Sequence, residues 1–489
     1  MRSADVILLS EADNVIVLPK GGTAGASAGT VTLAEDILPG HKAARVAIAR
    51  GNTIVKYGSA IGKAAKDIRS GEWVHEHNVK TRLGDDLDLP VWKPKAPPEN
   101  ADGEERYFQG FPRRSGRPGV RNDLWIIPSV GCVNGEIQSE IRMFRKPDWI
   151  DSVKVLEHPY GCSQLGGDME MTRGILAGLA HNPNAAGVLL VGLGCENLTL
   201  ASLREAVLSK GPSEGLRSLE LQTERDGTLV AALGELAEQA SRKRLKYPMK
   251  DLFVGVKCGG SDGFSGLSAN PLVGRFADWL TARGGGILAT EIPEMFGAEG
   301  VIASRIHDKS VYEAFIAMDQ WFRDYYVRHG QPIFENPSPG NRAGGITTLE
   351  EKSLGAAEKT GTGIVTAVLN YGEMSVGGGV QIAFAPGNDL VSCTSLAGSG
   401  AQMILFTTGR GTPFGSIVPT LKISTNSELA ARRVNWIDFD AGTVLTGETW
   451  KDAASRLIDA VLRTASGERT AHERKEISAI AIFKDGVIL

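Results

Sequence analysis

Residues 187–195 read GVLLVGLGC, a short apolar run closed by a glycine turn and a cysteine. A run of this length, rich in β-branched and aliphatic residues, is a strand buried on both faces, as strands in parallel sheets are. The same signature recurs at DLWIIPSVGC (123–132), VKVLEHPYGC (153–162), SLELQ (218–222) and LFVGVKC (252–258). Helical periodicity fills the gaps, in MEMTRGILAGLA (169–180) and TLVAALGELAEQASRKR (228–244). Strands alternating with helices predict a doubly wound parallel sheet.

Outward from this centre the texture changes twice. Residues 1–90 alternate short β-branched runs with glycine turns, which predicts a small β-rich module. A proline- and charge-rich stretch follows, read as an exposed linker over 91–106. The middle α/β domain then spans 107–248, and a glycine-rich, loop-heavy, mixed α/β domain spans 249–489. The expected fold class is therefore multidomain α/β. A length of 489 residues suits two or three domains.

Composition removes several function classes. Fifty-three Lys+Arg against 57 Asp+Glu give a net charge of −4, which argues against a broad basic surface for nucleic acid. The apolar runs fall short of the ~20 residues of a spanning helix, and the first residues form no signal-peptide core. Five cysteines in this length are no disulfide framework, so reduced thiols and a cytoplasmic location are expected.

Four of those cysteines, Cys132, Cys162, Cys195 and Cys258, end predicted strands. Ligand crevices of open parallel sheets lie outside those ends. The four are candidates to hold iron, singly or as an iron–sulfur cluster, against the plainer reading of small residues capping strands. Cys393 falls outside the pattern and is read as structural. In WVHEHNVKT, a strand would put His75 and His77 on one face, with Asn78 close by, suited to a metal or to proton exchange with a hydroxy acid; surface histidines on an edge strand are the alternative. Glu291 and Glu294 in TEIPEMFGAE, and Asp262 in GGSDGFSG, offer carboxylates beside glycines. FTTGRGTPFG places Arg410 in a glycine-lined turn suited to a carboxylate, with Lys422 following. GxxxxGK[ST] is absent and the glycine fingerprint around 192–194 is incomplete, which disfavours a nucleotide.

Beyond these local patterns, long segments resemble the altronate/galactarate dehydratase family over essentially the whole chain. They include GHKAARVAIARG, GEWVHEHN, GVRNDLWIIPSVGCVNG, YGCSQLGGD, VGLGCEN, CGGSDGFSGLSANP, EIPEMFGAE, ENPSPGNRAGGITTLEEKSLG, APGNDLV, LFTTGRGTPFG and NWIDFDAG. APGNDLV, GRGTPFG and WIDFDAG are similar to the altronate branch. The resemblance implies an N-terminal module of the SAF type, a Rossmann-like middle domain and a distinctive C-terminal domain. It also implies dehydration of D-altronate to 2-dehydro-3-deoxy-D-gluconate with divalent iron, or manganese as the alternative ion, and a homo-oligomer. Extra basic residues in PRRSGRPGVRND and the segment NYGEMSVGGGVQIAF depart from the family pattern without removing a candidate group.

The chemistry of dehydration assigns expected roles. Cys162, Cys195 and Cys258, with Cys132, would hold iron. His75 or His77, with Glu291, Glu294 and Lys422, would move protons, and Asn78, Asp262 and Arg410 would bind substrate. Galactarate or a sulfonated hydroxy acid as substrate, and a sugar-acid-binding protein without catalysis, are the rival expectations.

Overall fold

A computed structural model describes residues 2–3, 6–83, 90–96, 105–333 and 335–486. Part of the linker, 97–104, lies outside the described residues. Its described start runs along the C-terminal domain, where Trp92 Nε1 donates to the Ile306 carbonyl at 2.9 Å and Lys95 N to the Ser304 carbonyl at 2.8 Å.

The N-terminal module is antiparallel throughout, with short strands split between a five-stranded sheet, a three-stranded sheet and a two-stranded ribbon. It is welded to the C-terminal domain by a buried charge triad. Lys42 and Lys56 reach the Glu351 carboxylate at 2.9 and 2.8 Å, and all three side chains are almost fully buried. The two ammonium groups hold Glu351 well below the usual carboxylate range despite the opposing effect of burial. Removing one partner of such a set strands a charge in low dielectric, which costs about 3–5 kcal/mol.

Two parallel sheets follow. In the first, Val153–Val155, Asp123–Pro128, Ala185–Gly192 and Leu216–Glu220 lie side by side in that order. All residues of 123–128 and 185–192 are buried, as continuous apolar strands require. The second sheet has seven strands, ordered Val365–Leu369, Gly379–Ala383, Gly286–Ala289, Phe253–Cys258, Met403–Thr408, Thr420–Ser424 and Phe439–Asp440. The strand ending in Cys258 therefore joins a different sheet from those leading to Cys132, Cys162 and Cys195, which corrects the expectation of one common edge.

The sheets are joined by helices Gly166–Leu179 and Asp389–Gly398, whose Ile175, Leu176, Leu396 and Ala397 share one hydrophobic cluster with both sheets. Glycine permits the approach: a Cβ on Gly178 would stand 2.6 Å from the Gly398 carbonyl. The helix predicted over 228–244 ends earlier, at Gln239. Among the described residues no helix is long and apolar enough to cross a membrane.

Candidate active site

Strand order locates the site. In the seven-stranded sheet the chain moves from 253–258 outward to one side, then returns to build 403–408 on the other side. That reversal opens a crevice at the carboxyl ends of these two strands, where ligands of open parallel sheets bind. A cavity of about 880 Å³ occurs there, with Cys258, Gly259, Gly260 and Arg410 in its wall. Glu294, Tyr325, Tyr326, Lys352, Asp389 and Lys484 also line it.

Beneath the cavity sits a buried ionic nest. Lys257 follows from an apolar strand, so its side chain enters the interior. Its Nζ pairs with Glu291 Oε1 and lies 3.0 Å from Asp389. Lys359 approaches Glu291 Oε2 at 2.8 Å and the Cys258 sulfur at 3.4 Å. Burial opposes ionisation of Glu291, yet the two ammonium groups overcome it and pull its carboxyl down to about 2. Burial instead pushes the Cys258 thiol up to about 11. Glu291 has φ of 71°, a left-handed conformation costly for a non-glycine residue and concentrated at functional sites. Glu294 stands closer to the cavity: Lys352 donates to its Oε1 at 2.9 Å and to Asn336 Oδ1 at 3.1 Å.

Cys258 Sγ and one oxygen each of Glu291 and Glu294 lie within 4.8 Å of one another, all buried. One thiol and two carboxylates are a donor set that borderline divalent ions such as iron accept. Charge fits too. Lys257, Lys352 and Lys359 balance Glu291, Glu294 and Asp389. A dication with an ionised thiolate would leave one positive charge for an acidic substrate to close.

Other sequence candidates take different places. Arg410 is exposed at the rim, donating to the Gly340 carbonyl at 3.2 Å. Asp262 is buried and ties loops together, accepting from Ser265 Oγ at 3.1 Å and Thr425 Oγ1 at 3.0 Å; it does not line the cavity. Lys422 also lies outside that lining, its Nζ donating to the carbonyls of Thr412 and Phe414; burial lowers its pKa to about 8.

The histidines do not share a strand face. Residues 75–78 form the turn between strands Trp73–Val74 and Val79–Lys80. Asn78 closes that turn, accepting from His75 N at 2.9 Å and donating to the Trp73 carbonyl at 2.8 Å. His75 is buried, stacks on Trp73 and His41, and reaches the Arg342 carbonyl at 2.9 Å. A carbonyl only accepts, so His75 Nε2 carries the proton. It braces helix Pro339–Ala343 from outside, while Gly340 and Asn341 of that helix face the cavity. His77 is exposed. Cys132, Cys162 and Cys195 are exposed at the other sheet.

Sequence reasoning missed Lys257, Lys352, Lys359 and Asp389. Lys257 alone carried a readable signal, a charge inside the apolar run LFVGVKC.

Fold and site together are those of a small-molecule enzyme, with a switch-point cavity walled by titratable groups. Three family profiles match in order: "Altronate/galactarate dehydratase SAF domain" over residues 4–82, "D-galactarate dehydratase/Altronate hydrolase, second domain" over 110–244, and "D-galactarate/Altronate dehydratase, C-terminal" over 249–488. The chain is 45% identical to an altronate dehydratase of Bacillus subtilis, with 99% of each chain covered. It is 44% identical to an altronate dehydratase of Escherichia coli, with 98% of each covered. A galactarate dehydratase (L-threo-forming) of Escherichia coli is 32% identical, covering 96% of this chain and 94% of the relative. This chain belongs to the altronate/galactarate dehydratase family.

Proposed function

We propose that this chain is a cytoplasmic hydro-lyase that removes water from D-altronate to give 2-dehydro-3-deoxy-D-gluconate. The observation that carries the reading is the switch-point cavity, which gathers Glu294, Lys352, Tyr326 and Arg410 around one space. The greater identity to altronate dehydratases than to the galactarate enzyme favours the substrate.

Dehydration requires loss of the C2 proton, departure of the C3 hydroxyl and stabilisation of the negative charge between them. Arg410 at the rim meets the substrate carboxylate, for which its planar fork is suited. Lys352, on the cavity wall, gives its ammonium proton to the adjoining Glu294 carboxylate and as the free amine takes the proton from C2. Tyr326 donates to the departing hydroxyl. Burial pushes its phenol up to about 12, so it stays protonated at neutral pH. Lys257 and Lys359 hold Glu291 rigidly ionised beneath the reacting atoms. Cys258, Glu291 and Glu294 would hold divalent iron or manganese, which when bound supplies a Lewis acid for charge developing at the carboxylate. The enol left after water departs tautomerises to the 2-keto acid, with no redox step.

Turnover by anaerobically purified, iron-supplemented protein on D-altronate, galactarate and sulfolactate tests the reading. Preferential formation of a 2-keto-3-deoxy acid from altronate is expected. Turnover of galactarate or sulfolactate in its place, or altronate binding without turnover, would overturn it.

A further inference from the structure

The four-stranded sheet has a switch point of its own. Its strand order places 123–128 and 185–192 side by side, with 153–155 beyond the first and 216–220 beyond the second. The chain reverses direction across the sheet between 123–128 and 185–192. Cys132 follows one of these strands, Cys195 the other, and Cys162 the neighbouring strand 153–155. All three thiols are exposed, whereas Cys258 and Cys393 are buried. Free cysteines usually bury themselves as small hydrophobes, so three exposed ones at one crevice depart from that habit together.

The loops that carry them are locked to each other. Gly131 N donates to the Tyr160 carbonyl at 2.9 Å, joining the first cysteine loop to the second. Leu198 N donates to the Gly161 carbonyl at 2.9 Å and Ser163 N to Asn197 Oδ1 at 2.7 Å, joining the second to the third. Ser129 Oγ donates to Glu196 Oε1 at 2.6 Å, closing the ring of loops. Each cysteine is thus within one or two residues of a bond to a neighbouring loop. Ser163, directly after Cys162, is held at φ 59°, a strained left-handed conformation that a packed framework must over-determine. Gln164 is 2% exposed; its Oε1 accepts from Gly161 N, and its Nε2 has no hydrogen-bond partner. A buried amide left unpaired under a cysteine loop is a polar group awaiting an acceptor.

We propose that Cys132, Cys162 and Cys195 form a second site, separate from the cavity at Cys258, that binds an iron–sulfur cluster through three thiolates. Spacing disfavours a lone ion held by all three thiolates. Zinc–thiolate bonds of about 2.3 Å place the ligands of one tetrahedral ion under about 4 Å apart. Among the described residues only Cys258, Glu291 and Glu294 gather within 4.8 Å, so the three exposed sulfurs are spread more widely. In a cubane each thiolate takes a different iron, so the three sulfurs need not approach one another as closely. Binding releases the three thiol protons, and the fourth iron is left without a protein thiolate. Helices Asn134–Ile141, Gly166–Leu179 and Leu200–Ser209 start directly after these loops, which puts their positive ends at the loops that would hold the anionic cluster.

The site also borders the tail that lines the other cavity. Asp168, six residues past Cys162, accepts from the backbone N–H of Asp485 and Gly486 at 2.8 Å each, and Lys484 is in the cavity wall.

The full-length chain, reconstituted anaerobically with equal ferrous and ferric iron and with sulfide and then desalted, tests this. About four irons with about four acid-labile sulfides per chain are expected, along with sulfide-to-iron charge-transfer absorbance. Cys132→Ser, Cys162→Ser and Cys195→Ser should each lose sulfide and absorbance, while Cys258→Ser retains both. No bound sulfide in the parent chain, one metal ion per chain at the trio, or a cluster that survives the triple serine variant would each overturn the proposal. None of these readouts depends on turnover, so they are independent of the altronate reading.

Discussion

Two parallel sheets in this chain open two crevices by the same topological reversal, and the crevices are chemically opposite. The one at Cys258 and Arg410 rests on buried lysines and glutamates that neutralise one another. The one at Cys132, Cys162 and Cys195 presents exposed thiols on loops bonded loop to loop. Topology decides where a ligand can sit; the side chains at the strand ends decide what it can be. The comparison also separates two kinds of energetic commitment. Buried charges are costly to disturb, and exposed thiols are nearly free until something binds them.

Substitutions should expose that difference, starting with the largest effect. Lys352→Met is expected to lower kcat on the preferred substrate by about 10²–10⁴-fold, together with a lowered thermal transition because buried Glu294 loses its partner. Unchanged kcat would remove Lys352 from the proton-handling role.

Glu291→Gln leaves buried Lys359 without its carboxylate partner and Lys257 with Asp389 alone, an expected loss of about 3–5 kcal/mol seen in urea unfolding. The same carboxylate has a pH signature. Its folded pKa is depressed to about 2, so its contribution is present above the ordinary carboxylate range and lost as pH falls through that range toward 2. The Gln variant should show a flatter acid limb, and an acid limb identical to the parent's would break the assignment of the buried nest.

His158, beneath the thiol crevice, reaches the Pro128 carbonyl at 2.9 Å, and burial lowers its pKa to about 4. The unfolded chain takes a proton near the ordinary histidine value while the folded chain refuses it. Stability therefore falls by about 3 kcal/mol as pH drops from about 6.5 to 4. Melting curves at pH 7 and 4.5 should converge less for the parent than for His158→Gln; equal losses in both would sink the claim.

Smallest is Cys195→Ser in metal-free protein, expected within about 0.5 kcal/mol of the parent because the side chain is exposed. A loss of several kcal/mol would erase the contrast between the two crevices.

Much of this was legible in advance. Apolar runs at 123–128, 185–192 and 253–258 read as buried parallel strands and are such strands. Glu291 and Glu294 stand out beside glycines and Cys258 at a strand end, and the fold brings them together. The histidine pair misled because the HEH spacing reads as strand alternation, whereas Asn78 caps a turn there with its own side chain. Lys422, expected to move protons, lies outside the cavity lining with its Nζ turned inward onto carbonyls.

Local pattern and long shared segments were enough to establish the multidomain α/β class, the family and most strand positions, because periodicity and turn chemistry are encoded within a few neighbouring residues. Which sheet each strand joins was decided only by the folded chain. So was the splitting of four cysteines into a buried one and an exposed trio. The reason is distance along the chain: Lys359 meets Cys258 across 101 residues and Lys56 meets Glu351 across 295. Such partners are selected by strand order and by the need to neutralise buried charge, and neither is written in any short stretch of sequence.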